Sequence, residues 1–384
     1  MIDTSDALAA LVERALQEPA VALDTEFVWE RTYYPALGLI QIALAEEVAL
    51  IDPIALEDLS PLGEVLAAPG VVKVLHDAAQ DLQILARATG RRPVNVFDTQ
   101  RAAGLVGYSG TSSLQDLVDA VVGVRLDKGE TRSNWLARPL SESQCRYAAD
   151  DVRYSLAIYH ALADEAERRG RRDWVDDEMA RYEDGGLFEE GEPTDAVSRI
   201  KVRNMSRMNG QQRATLRALA AWREREARSM DRTRRMVLPD EALVDLAAIA
   251  PTHAEDFRKS RLTDRQVARF GDGLLAAVHE GLEAPPEPIE RRGRPGPEEE
   301  RDAARLLVAQ AFVAGRCARD GVDPALVATK SVLKEAIDAG PDAVDEVLTG
   351  WRATFVGTDL AALLRGERAV RLDADDGWPR MTEH

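Results

Sequence analysis

Apolar and polar positions follow two periods along this chain, and the switch between them marks its architecture. Met1 to Gln17 has helical spacing, with Leu8, Leu11, Val12, Ala15 and Leu16 on one face and Ser5 or Asp6 at the start as cap. Ala20 to Phe27 then reads as a strand. Gly38–Leu44 and Val48–Asp52 are further strands separated by Ala45-Glu46-Glu47, so an antiparallel meander is expected. Leu59–Ala68 is helical, Val71–Leu75 a buried strand, and Ala78–Ala88 a helix. Val94–Asp98 is again strand-like, followed by helical segments near 99–107 and 112–122 and one long helix from Ser141 to Arg169. Strands alternating with helices after a meander predict a mixed sheet with helices on both faces. Beyond a linker at 183–198, periodicity is purely helical from Met205 to about Glu283. A Pro- and Arg-rich linker spans 285–297, a second helical block runs from Glu298 to about Arg368, and Leu372–His384 reads as a frayed tail.

A chain of 384 residues exceeds one ordinary core. The pattern divides it into an α/β domain at 1–185 and helical domains at 200–284 and 297–370. No apolar run approaches membrane-spanning length, and the N-terminus lacks a signal-peptide layout. The two cysteines, Cys145 and Cys317, stand far apart in helical patterns. Neither a disulfide framework nor a zinc cluster is expected, and a cytoplasmic location follows. The net charge of −18 excludes a protein that coats nucleic acid along its whole surface, though not a local basic face.

The candidate chemistry is carried by acids. Asp24 and Glu26 are two apart on a strand, so they share a face while Leu23, Thr25 and Phe27 take the other. Adjacent like charges imply a shared proton or a bound cation, unless the strand end is simply solvated. Asp77 is placed to cap the next helix. Asp81, one turn in, either complements the helix dipole or joins a site at the carboxyl end of the sheet. Tyr147 and Asp151 are four apart on a helix and share a face, whereas Asp150 turns away. The absence of Cys or His clusters disfavours zinc, and oxygen donors suit Mg²⁺ or Mn²⁺.

The order Asp24-x-Glu26, His76-x4-Asp81, Tyr147-x3-Asp151 resembles the DEDD superfamily of 3′→5′ exonucleases in its tyrosine branch, and most closely the bacterial ribonuclease D family. Leu37–Ile42, Leu126–Gly129 and Ser133–Trp135 ahead of Pro139-Leu140 add to the resemblance, which spans about residues 5–170. It implies a ribonuclease-H-like exonuclease domain and two divalent cations, Mg²⁺ or Mn²⁺. Asp24 would bridge both, Glu26 and Asp151 complete the first site, and Asp81 holds the second. Tyr147 would orient the attacking water, since a phenol with a pKa of about 10 is a poor base. Gln41, His76, Lys128 and Arg132 are candidate substrate contacts, with a structural role the alternative for His76.

From Arg199 to Arg235, twelve Lys or Arg face three acids, a candidate phosphate-binding surface that includes Lys201, Arg203, Arg207 and Arg228. Leu219–Glu224 and Val237–Pro251 resemble the HRDC domain shared with RecQ helicases. Val327–Lys330, Gly350–Arg352 and Leu363-Leu364 resemble a divergent second copy, and Trp222 and Trp351 read as core residues. The resemblance implies a monomeric exoribonuclease trimming tRNA precursors and other structured RNAs to nucleoside 5′-monophosphates, without a membrane or small-molecule cofactor. A single-stranded DNA exonuclease and a catalytically silent nucleic-acid scaffold are the alternatives.

Overall fold

The computed structural model describes residues 1–126, 129–130, 133–202, 205, 207–289 and 296–383. In chain order its first elements are α1 (Ser5–Ala15), β1 (Ala20–Val28), β2 (Ala36–Ala43), β3 (Val48–Ile51), α2 (Ser60–Ala67), β4 (Val72–Leu75) and α3 (Ala79–Thr89). Then come β5 (Val96–Asp98), α4 (Thr99–Leu105), α5 (Leu114–Val122), α6 (Glu142–Arg153), α7 (Ser155–Arg168) and α8 (Arg172–Ala180). The strands form one sheet in the order β3-β2-β1-β4-β5. β2 and β3 pair antiparallel from Ile40↔Ile51 to Ala43↔Val48. β1 and β4 pair parallel from Ala20↔Val72 to Ala22↔Val74, and β4 pairs parallel with β5. Ala20–Leu23 are buried, as expected of a central strand covered on both faces. The mixed sheet expected from the sequence is therefore present.

Four local expectations are corrected. Thr4, whose hydroxyl accepts from the Ala7 amide, caps α1, and Leu16 is exposed past its end. Asp77 does not cap α3. Its φ of 56° turns the chain left-handed, a conformation Asp tolerates, and Asp98 receives the amides of Asp77 and Ala78 instead. The long helix breaks at Tyr154, beside which the Ser155 hydroxyl donates back to the Asp151 carbonyl, a local bond that competes with the helical ladder. The frayed tail is a hairpin of the C-terminal strands Arg368–Leu372 and Pro379–Glu383.

The later helices are α9 (Gly210–Ser229), α10 (Arg234–Val237), α11 (Asp240–Ile249), α12 (Asp264–Glu283), α13 (Pro297–Asp320), α14 (Pro324–Val327), α15 (Lys330–Ala339), α16 (Val344–Val347) and α17 (Thr358–Arg365). The chain forms two compact units: residues 1–26, 37–188 and 294–384 in one, 27–36 and 189–293 in the other. The second helical block thus packs into the same unit as the sheet. Leu306, Phe312, Leu326 and Phe355 share a hydrophobic core with Ala102, Leu105 and Val175, and Trp351 stacks on Trp174 with centroids 4.9 Å apart.

In the other unit α9–α12 close around Leu219, Trp222, Leu243 and Leu274. Trp222 and Trp351 are both buried, as their apolar surroundings in sequence implied. Gly281 of α12 crosses α9 so closely that a Cβ there would lie 2.3 Å from Thr215 Cα. The Gln211 amide fastens the same crossing by donating to the Gly281 carbonyl at 2.7 Å.

Candidate active site

Asp24 lies in the middle of β1, two residues beyond Ala22, the last position of that strand paired with β4. Asp81 stands in the first turn of α3 and Asp151 near the end of α6. These three elements and Glu26 assemble one acidic site. Asp24 is pushed well above the usual carboxylate range by burial, then by the charges of Asp81, Asp151 and Glu26. Burial followed by Asp151 and Asp81 raises Glu26 to about 8. Burial also raises Asp151 to about 7, with Asp150 adding to it, and Asp81 to about 6 against a lowering hydrogen bond from Thr25. The sequence-derived set of four acids is therefore brought together. Asp150 turns to the surface and pairs with Arg153 at 2.8 Å. Tyr147, one turn before Asp151, sets its ring beside Trp135, centroids 6.2 Å apart.

Among the described residues no three His, Cys, Asp or Glu side chains form a ready ion cage. Uncompensated carboxylates repel one another, and Asp81 is drawn to the Thr25 hydroxyl. Even so, the donor set fits hard divalent cations: all oxygen, acidic, and penalised while uncompensated.

Two positioning residues escaped the sequence reading. Strand alternation places Thr25 on the face opposite Asp24 and Glu26, yet its hydroxyl reaches Asp81. Asp98, nearly inaccessible to solvent, accepts the amides of Asp77 at 3.2 Å, Ala78 at 3.1 Å, Gln100 at 2.9 Å and Arg101 at 3.3 Å, together with the Tyr182 hydroxyl. It thereby anchors the starts of α3 and α4 with one carboxylate. The only prior signal was an acid ending a strand ahead of a helical pattern.

The expected substrate contacts fare differently. Gln41 is fully buried in β2, with both side-chain polar atoms unpaired. His76 has both ring nitrogens engaged, with Thr99 Oγ1 at 2.9 Å and the Ser112 carbonyl at 3.0 Å. Lys128, Arg132 and Arg203 lie outside the described residues.

Much of the basic run is answered internally. Arg223 is buried against Asp240 at 2.7 Å, and Arg228 pairs with Glu190 at 3.2 Å and Glu224 at 3.5 Å. Arg234 also binds Glu224, and Arg217 binds Glu287. Arg228 is therefore already paired within the fold, whereas Lys201 and Arg207 are exposed.

The 3′-5′ exonuclease family model matches residues 1–167, and that of the HRDC domain matches residues 212–278. Ribonuclease D of Desulfotalea psychrophila is 36% identical over 360 residues, covering 93% of this chain and 96% of that protein. The chain belongs to the ribonuclease D family. The ribonuclease D of Gluconacetobacter diazotrophicus is 38% identical over 97% of this chain and 94% of its own. The crystal structure of Escherichia coli RNase D, described as an exoribonuclease involved in structured RNA processing, matches with a TM-score of 0.80. It is 33% identical and the match covers 95% of this chain and 98% of that one. Membership in the ribonuclease D family makes this chain a hydrolytic 3′→5′ exoribonuclease that depends on divalent metal. No helix among the described residues is long and apolar enough to cross a membrane.

A pH dependence follows from the raised acids. Glu26, Asp151 and Asp81 hold protons in the fold up to about 8, 7 and 6, whereas the unfolded chain releases them near 4. Between those limits the native state binds more protons than the unfolded one, so stability of the metal-free protein falls as pH rises from about 5 to 8. Thermal melts in chelator should show a declining Tm across that window, and Mg²⁺ should flatten the decline. A Tm that climbs with pH in chelator would refute the proximity of the acids.

Proposed function

We propose that this exoribonuclease trims the 3′ ends of tRNA precursors and other structured RNAs in the cytoplasm, acting as a monomer and releasing nucleoside 5′-monophosphates. The observation carrying this reading is the convergence of Asp24, Glu26, Asp81 and Asp151 from β1, α3 and α6, each carboxyl raised by burial. Asp24, Glu26 and Asp151 would hold one Mg²⁺ or Mn²⁺, and Asp24 with Asp81 a second. Bound there, the two cations would neutralise charge on the attacking and leaving oxygens of the phosphodiester. The Tyr147 phenol, backed by Trp135, would hold the attacking water in line. Thr25 would steady Asp81 and Asp98 the helix that carries it.

The C-terminal block supports a second, divergent HRDC domain. α9, α10 and α11 have 20, 4 and 10 residues; α13, α14 and α15 have 24, 4 and 10. Such a repeat of lengths suits a duplicated module whose later helices have diverged. Lys201 and Arg207 would contribute sequence-independent phosphate contacts from the first helical domain.

The test is a time course on 5′-labelled tRNA carrying a 3′ extension, beside a matched DNA strand, in Mg²⁺ and in Mn²⁺. A one-nucleotide ladder on RNA supports the reading; preference for DNA would replace the substrate, and no cleavage would leave a scaffold. In the same assay Tyr147→Phe should lower kcat roughly 10- to 100-fold, the range for loss of a group that positions a reactant, with KM for RNA little changed. A Tyr147→Phe enzyme of normal kcat would remove the phenol from the mechanism.

A further inference from the structure

β4 ends at Leu75, and the next three residues, His76 to Ala78, carry the chain into α3 and so set where Asp81 stands. His76 is the first of them, and its ring is clamped from both sides. On one side is Thr99 Oγ1; on the other is the Ser112 carbonyl, to which Nε2–H donates at 3.0 Å. Burial lowers the pKa of this imidazole, which favours the neutral ring.

Ser112 lies in the loop between α4 and α5, and Asp323 of the C-terminal block grips that loop. Asp323 Oδ2 accepts from the Gly110 amide at 2.7 Å and from the Ser109 hydroxyl at 3.3 Å. The Asp323 amide donates to the Gly104 carbonyl at 2.7 Å, and its Oδ1 caps α14 through the Ala325 amide at 2.8 Å. A Cβ at Gly110 would already lie 3.3 Å from Asp323 Cβ, so the loop and the acid are in close contact. The Gln100 side chain ties the Ser112 carbonyl a second time at 3.1 Å.

We propose that Asp323 is a positioning residue of the exonuclease site, holding loop 109–113 so that Ser112 fixes His76 at the turn from which the helix bearing Asp81 departs. The C-terminal block then serves the chemical step. A change at Asp323 loosens the loop, frees the imidazole and lets the first turn of α3 drift. Because the effect reaches the site through the placement of Asp81, it falls on turnover and leaves the affinity for RNA alone.

The inference rests on Asp81 being part of the active site, so Asp81→Asn is measured alongside. Asp323→Ala is expected to lower single-turnover kcat about 5- to 20-fold with KM for a 3′-extended RNA within twofold. Asp323→Asn, whose one oxygen can serve either Gly110 or the α14 cap but not both, should retain an intermediate rate and remains informative if the alanine variant does not fold. A ¹⁵N-edited spectrum supplies a readout separate from activity: the His76 Nε2–H signal should be present in the parent, weakened in Asp323→Asn and lost or shifted in Asp323→Ala. Asp342→Ala, on the same block but in an exposed ion pair with Arg365 at 2.8 Å, should leave both signal and rate unchanged. If Asp81→Asn abolishes turnover while both Asp323 variants keep parental kcat and the parental His76 signal, the proposal is overturned and the site stands. If Asp81→Asn is itself active, the site assignment fails first, and the positioning role with it.

Discussion

Asp24→Asn is expected to lower kcat by about three orders of magnitude while making the metal-free protein more heat-stable. Asp24 is the acid on which the others act: Asp81, Asp151 and Glu26 all raise it. Removing one preorganised charge-stabilising group from a hydrolytic site costs about 10²- to 10³-fold. A carboxylate that would serve both proposed cations lies at or beyond the upper end of that range. Stability should move the opposite way. Above pH 4 the unfolded chain carries Asp24 ionised at little cost, whereas the fold must bury that charge beside three others. Asparagine keeps the shape and removes the charge, so Tm in chelator at pH 8 should rise, and the gain should vanish when the pH is lowered toward 4. Single-turnover cleavage together with melts at the two pH values checks both halves. A variant that loses activity and also melts earlier would show Asp24 to be a structural residue whose loss merely unfolds the site.

The parts of this site that were legible in sequence were those governed by local periodicity. Asp24 and Glu26 follow from strand alternation, Tyr147 and Asp151 from the helical repeat, and Asp81 from its distance past a buried strand. Alternation puts Thr25 away from the acids because it describes the strand alone. It says nothing of α3, whose first turn brings Asp81 within reach of the hydroxyl. Asp98 looked like a strand end, and its role appears only when two helix starts converge on it. The basic run misled for a related reason. Charge counted along the sequence omits Asp240, Glu287 and Glu190, which the fold brings to Arg223, Arg217 and Arg228 from outside the run. The hairpin at Arg368–Glu383 is short and carries exposed residues such as Leu372, so neither burial nor period announced it. The packing of the second helical block into the sheet unit is likewise a matter of long-range contacts that no local pattern encodes.

That packing has a measurable consequence at Glu178. This residue of α8 is 2% exposed and accepts from Arg101 at 2.6 Å, from the Trp351 indole at 3.1 Å and from Arg352. Burial pushes its pKa up, but the two guanidiniums outweigh burial and hold it below the usual value. Glu178→Ala would leave Arg101 and Arg352 facing each other across a cavity with no counter-charge. Breaking a buried pair on one side costs about 3–5 kcal/mol, and the partial exposure of both arginines argues for the lower figure. At about 2–4 °C per kcal/mol for a unit of this size, Tm should drop by roughly 6–12 °C. Glu178→Gln, which can still accept from Trp351, should lose less. Because the native carboxylate has the lowered pKa, its contribution is present above about pH 4.5 and fades below it, so parent and variant should converge in acid. The sheet and the C-terminal helices share one core across this cluster, and they should therefore unfold in a single transition that shifts as a whole. Hydrogen exchange resolved by segment would decide the point. Loss of protection confined to α13–α17, with the sheet protected as in the parent, would mean that the block is an appendage and that Glu178 tethers it without supporting the catalytic fold.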